Sequence, residues 1–155
     1  MVENFDFSLG SFASQHSSLN HSYICAQILR QLLQDKTLEP LPFVTLALEE
    51  GITPDISVFE EQEIAPNFFH DFTQIKILPH LAIEVLTASQ SLQVRLDRAN
   101  RLLFHGVPIV WIVEAWSKSV FEITRERQQL FHQTIINSGG IAVDFAKVFR
   151  SKEIG

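Results

Sequence analysis

Leu81-Ala82-Ile83-Glu84-Val85-Leu86, followed by Thr87, is apolar at five of its first six positions and carries one carboxylate in the middle. A run this short and this apolar reads as a strand buried on both faces. Side chains alternate along a strand, so Glu84 shares a face with Ala82 and Leu86. Burying that carboxylate unpaired would cost several kcal/mol, so it needs a metal ion, a cationic side chain, or a proton held through a raised pKa. Downstream, Val107 to Val113 is also apolar on both faces, which suits a central strand. Between the two strands the spacing of Leu92, Leu96, Ala99 and Leu103 predicts a helix from about Ser91 to His105, with Gly106 as its C-terminal cap. Strand, helix, strand is an α/β crossover.

Working outward, a second helix is predicted from about Ser18 to Gln34, capped by one of Ser14, Ser17 or Ser18. Its apolar stripe comprises Ile24, Cys25, Ile28, Leu29, Leu32 and Leu33, with His21 projecting from the same side. Further strands are expected at 42–48, 55–59, 119–124 and 129–136, the first two joined as an antiparallel hairpin through Glu49-Glu50-Gly51. Residues 60–78 read as a long excursion containing Phe68, Phe69 and Phe72. The expected fold class is α/β (α+β), a mixed sheet flanked by two main helices in one domain spanning 1–155.

Composition agrees with a packed single domain. The 155 residues are 46% hydrophobic and 19% charged, with no repeat and no Pro/Gly-rich linker. A net charge of −6 repels polyanions, so contact with nucleic acid would have to come from a local patch. The one cysteine, Cys25, excludes an intrachain disulfide and a cysteine-only zinc site. Glu3 and Asp6 stand where a secretory signal would be basic, and the seven-residue run from Val107 falls well short of the ~20 needed to cross a bilayer. A cytoplasmic location, without membrane attachment, is expected.

Asp55 follows Pro54 at the head of a predicted strand. Two carboxylates on adjacent strands can hold a hard divalent cation such as Mg²⁺ or Mn²⁺, and Arg98 one helix later can meet a phosphate. The residues alone equally describe a buried Glu84–Arg98 salt bridge, with Asp55 capping a turn. The order His21-Ser22, Pro54-Asp55, LAIEVLT from Leu81, Arg98, GVPIVWIVEA from Gly106 and GGIAVDFAKVF from Gly139 resembles the Uma family of "putative restriction endonucleases". That family is a domain of unknown function abundant in cyanobacteria, within the PD-(D/E)XK nuclease superfamily, and the resemblance covers about residues 16–149.

The resemblance implies a restriction endonuclease-like fold and a Mg²⁺- or Mn²⁺-dependent endonuclease. Asp55 and Glu84 would bind the metal, with the backbone carbonyl of Val85 as a further ligand. Arg98 would occupy the family's helix-borne lysine position, and His21 would contact phosphate or carry a proton. The superfamily's more usual lysine position holds Leu86, Thr87-Ala88 replaces Ser-Pro, and Leu102 replaces a common tyrosine. An arginine stabilises phosphate but does not act as a base. The alternative is a catalytically degenerate member of the fold acting as a dimeric interaction module. A homodimer is expected either way, from the Phe-rich excursion. His16, His70, His80, His105 and His132 lack paired zinc-ligand spacing and read as surface or loop residues; Cys25 reads as a small core hydrophobe. Arg95, Arg98 and Arg101 recur every three residues as a solvated face or a modest phosphate track, and Ser138-Gly139-Gly140 as a plain turn.

Overall fold

The computed structural model describes residues 18–88 and 90–150. Helix α1 (Leu19–Leu32) is followed by β1 (Leu38–Pro42), β2 (Ile56–Glu60), a single 3₁₀ turn (Glu61–Glu63) and β3 (Leu81–Leu86). Helix α2 (Leu92–Phe104) then leads to β4 (Val110–Glu114), β5 (Ser119–Ile123), β6 (Gln128–His132), β7 (Ile135–Ser138), β8 (Ile141–Asp144) and the short α3 (Phe145–Val148). One sheet has six strands in the order β1-β2-β3-β4-β5-β6, and β7-β8 form a separate hairpin. Among the described strands only β3 and β4 pair in parallel, and α2 is the crossover between them.

Alternation on β3 and β4 divides the core in two. Leu81, Ile83, Val85, Trp111 and Val113 pack with Ile24, Cys25, Ile28 and Leu32 of α1, while Ala82, Leu86, Val110 and Ile112 pack with Ala99, Leu102 and Leu103 of α2. Glu84 therefore faces α2. Ser18, one of the predicted serine caps, accepts the His21 N–H through Oγ, and Ser91 Oγ caps α2 by accepting the Val94 N–H. Gly106, at φ +108°, ends α2 where a side chain would be strained, and the N–H groups of Gly106 and Val107 return to Leu103 and Leu102. Leu33, expected in the α1 stripe, is instead the exposed C-cap.

Three strand expectations need correction. The strand expected at 42–48 lies earlier, at Leu38–Pro42, and it contains two prolines. That is tolerated because β1 is an edge strand, where a missing N–H costs no ladder bond. The β1–β2 pair is antiparallel as expected, yet Glu49-Glu50-Gly51 turns only an inner loop, pinned by a Leu46–Ile52 bridge. The strand expected at 129–136 breaks at Gln133, whose φ of 46° sends the chain out of the main sheet into β7. Ser138-Gly139-Gly140 is the turn of the β7–β8 hairpin, whose second strand the sequence reading missed. Residues 60–78 are the expected excursion, returning through Ile75, which pairs with Thr45 and Ala47. No helix among the described residues is long and apolar enough to cross a membrane.

Candidate functional site

The strand register builds the site. Ile56 pairs with Ile83 at the end of the β2–β3 ladder, and one further step of that register sets Asp55 opposite Glu84. The ladder stops there. In its place Asp55 Oδ2 accepts the Val85 N–H at 2.7 Å, so a side chain substitutes for the next main-chain bond. From α1, His21 brings Nε2 to 3.2 Å from the same oxygen. His21 Nδ1 lies 3.9 Å from Cys25 Sγ, one turn on along the helix. Burial, with smaller contributions from Asp55 and Glu84, pushes the Cys25 thiol up to about 12, so it stays protonated and inert as a nucleophile. The imidazole therefore stands between the Cys25 thiol, at Nδ1, and the Asp55 carboxylate, at Nε2.

Glu84 is fully buried. Arg98 Nε stands 2.8 Å from its Oε1, and Arg95 Nη1 stands 3.2 Å from its Oε2. Arg98 also donates through Nη2 to the Thr53 carbonyl, tying α2 to the segment that leads into Asp55. The Arg98 Nε–H is not aimed at the carboxylate. Glu84 Oε1 and Arg98 Nε therefore touch as an ion pair, yet neither has an aligned hydrogen bond. Burial raises the Glu84 pKa to about 7 and Asp55 adds to the rise, against the opposing pull of Arg98 and then Arg95.

Oxygen donors at Asp55 and Glu84 are the chemistry a hard divalent cation prefers, and a buried carboxylate oxygen without a hydrogen bond is what such an ion would satisfy. Val85 enters the site through its N–H. Asp55, Glu84 and His21 do not, however, bring three ligand atoms together. Among the described residues the one group with three ligand-type atoms all within 4.8 Å of each other is Glu60, Glu63 and His80, at the opposite end of the β2–β3 ladder.

A sequence profile described as "Uma2: Putative restriction endonuclease" matches residues 10–149. The chain belongs to the Uma2 family. Its fold is shared with a solved protein, titled as a putative nuclease belonging to DUF820 from Anabaena variabilis ATCC 29413, at a TM-score of 0.72 and 18% identity. The alignment covers 86% of this chain and 82% of that one. No curated protein matches.

Of the residues singled out in this Uma2 sequence, His21 and the Val85 N–H meet Asp55 on the α1 side of the β2–β3 junction, while Arg98 meets Glu84 and the Thr53 carbonyl on the α2 side. The solvated-face reading fails for Arg95 and Arg98, which turn inward to Glu84; Arg101 remains half exposed beside Glu49. Arg95 is the site residue the sequence undervalued. Its three-residue spacing from Arg98 signals a shared helix face, but only the structure shows that this face meets Glu84. His70, His80 and His132 are exposed as expected, although His132 lies on β6, not in a loop. His105 caps α2 beside Glu49, and His16 lies outside the described residues. A second buried polar group was not foreseen: Ser138 Oγ accepts the Trp111 indole N–H at 3.0 Å and donates to Glu122.

Proposed function

We propose that the chain is a metal-dependent nuclease that hydrolyses nucleic-acid phosphodiesters, with Asp55 and Glu84 holding Mg²⁺ or Mn²⁺ and the Val85 carbonyl as an additional ligand. The observation that carries this reading is the register, which sets Asp55 opposite a fully buried Glu84 whose Oε1 lacks an aligned hydrogen bond. A bound divalent ion would polarise the phosphodiester and make its water more acidic. The chain's own residues do the rest. Arg98 and Arg95 supply fixed positive charge where phosphate charge develops, Arg98 being held in place by the Thr53 carbonyl. His21, oriented by Cys25, holds a proton against Asp55 and keeps that carboxylate turned toward β3.

Mn²⁺ added to the chelated protein tests the site directly. It should raise the melting temperature, by about 2.7 kcal/mol of stability at a hundredfold excess over Kd, and Asp55→Asn should abolish the rise. Indifference to millimolar Mn²⁺ would remove the metal site and with it the nuclease.

The second reading, a degenerate scaffold, is favoured by one observation: two arginines already contact Glu84, so its charge is matched without any ion. In either reading the chain acts as a homodimer, for which the support is Phe68, Phe69 and Phe72, each at least 73% exposed on the 60–78 excursion.

A further inference from the structure

Two residues beyond Glu84 and on the same face of β3, Leu86 forms part of an open pocket of about 480 Å³. Thr87, Gln90, Leu92, Trp116 and Phe121 line it as well. The pocket lies where the parallel pair β3 and β4 ends, since Leu86 and Glu114 are their last residues and pair with each other. Ligands of open α/β sheets collect at the carboxyl ends of such strands. Trp116, immediately beyond β4, is 82% exposed, against 0% for the only other tryptophan, Trp111. An indole left in water at the rim of a cleft has a large face to offer and no packing role to explain it.

Two elements connect this pocket to the carboxylate. Along β3, Leu86 stands about 7 Å from Glu84, at roughly 3.3 Å per residue. Along α2, Leu92, Arg95 and Arg98 succeed one another at three-residue steps, each a surface neighbour of the next, so the helix leads from the pocket wall to the two arginines on Glu84. The two arginines on Glu84 and the aromatic-walled cleft therefore both lie on the α2 side of β3. The lining suits a heterocycle: apolar walls from Leu86, Leu92, Trp116 and Phe121, and a polar edge from Thr87 and Gln90, while the Glu114 carboxylate, also on the wall, accepts the Trp116 and Ser117 N–H groups. Gln90 Oε1 is taken by the Thr87 N–H at 3.0 Å, which leaves its amide nitrogen as a donor for an acceptor on the ring.

We propose that this pocket is a base-binding subsite in which an unpaired nucleobase stacks on Trp116 while its phosphate meets Arg95 and Arg98. The proposal rests on the nuclease reading and narrows it to substrates with a single-stranded or extruded nucleotide at the cut. A base inside a duplex has its faces stacked and its edge paired, so it has neither to give to Trp116.

Tryptophan emission tests this without any cleavage. Single-stranded dA and rA decamers, titrated with Ca²⁺ in place of Mg²⁺, should quench and shift the emission of Trp116, and the tighter of the two identifies the sugar. Trp116→Ala should weaken decamer binding fivefold or more by anisotropy of a labelled strand, with Trp116→Phe recovering most of it. Because Trp116 is exposed, both variants should melt like the parent. Unchanged emission, undiminished affinity in Trp116→Ala, or a blunt duplex bound equally well through Trp116 would each overturn the subsite. Asp55-dependent cleavage that survives Trp116→Ala with unaltered KM would discard the subsite and keep the nuclease. Trp116-dependent binding without any cleavage would keep the subsite and discard the nuclease.

Discussion

Replacing Glu84 by glutamine should stabilise the metal-free protein at pH 8, although it breaks two ion pairs. The carboxyl titrates near 4.5 when unfolded and near 7 in the folded chain, because burial outweighs Arg98 and Arg95. A folded pKa above the unfolded one gives a contribution that is fully present below about pH 4.5 and is lost as pH rises through 7. At ~1.4 kcal/mol per pH unit, the loss comes to ~3 kcal/mol by pH 8. Glutamine keeps the shape and polarity of the protonated acid and has no charge to bury. Glu84→Gln should therefore match the parent near pH 4 and exceed it by up to ~3 kcal/mol at pH 8. For a chain of this size that corresponds to roughly 6–12 °C in Tm. Calorimetric melts of both proteins at the two pH values, with chelator present, provide the comparison. A variant that melts earlier than the parent at pH 8, by the ~3–5 kcal/mol expected for a broken buried ion pair, would show instead that the arginines outweigh burial.

Three further outcomes are expected. Arg98→Lys should increase Mn²⁺-dependent cleavage of plasmid DNA, since an ammonium is more compact than a guanidinium fork, and adding Asp55→Ala should erase the gain; an inactive lysine variant that merely melts earlier would favour the scaffold. Light scattering should report a dimer mass that falls to the monomer when Phe68, Phe69 and Phe72 are changed together to serine, whereas a monomer at every concentration would end the dimer proposal. Ser138→Ala should cost about 1–3 kcal/mol, measured by urea unfolding, because it strands the buried Trp111 indole N–H and Glu122 together; a neutral result would mean that neither depends on Ser138.

The two carboxylates illustrate how far sequence alone reached. Glu84 was legible because it interrupts a run that is otherwise apolar on both faces, and alternation alone put it beside Ala82 and Leu86. His21 was legible for the same reason on a helical period, and the Ser18 and Gly106 caps were readable as well. These are local properties, decided by the direction in which consecutive side chains point. Pro40 and Pro42 hid β1, because whether a strand tolerates proline depends on whether it lies at an edge, and that is a property of the assembled sheet. The break at Gln133 was hidden likewise, since β6 and β7 form a continuous run in sequence and part only because β7 pairs with β8.

Local patterning was enough for a sheet with two helices, a carboxylate that must be compensated, and the menu of metal, cation or proton. Packing supplied the neighbours of that carboxylate. The end of the β2–β3 register brought Asp55 level with Glu84, and the rotation of α2 turned Arg95 inward with Arg98. The physical reason is range. Periodicity records which way a side chain faces, but which charge it meets depends on pairings between residues 30 or more positions apart, such as Asp55 with Val85 and Arg98 with Thr53, which exist only once the chain has packed.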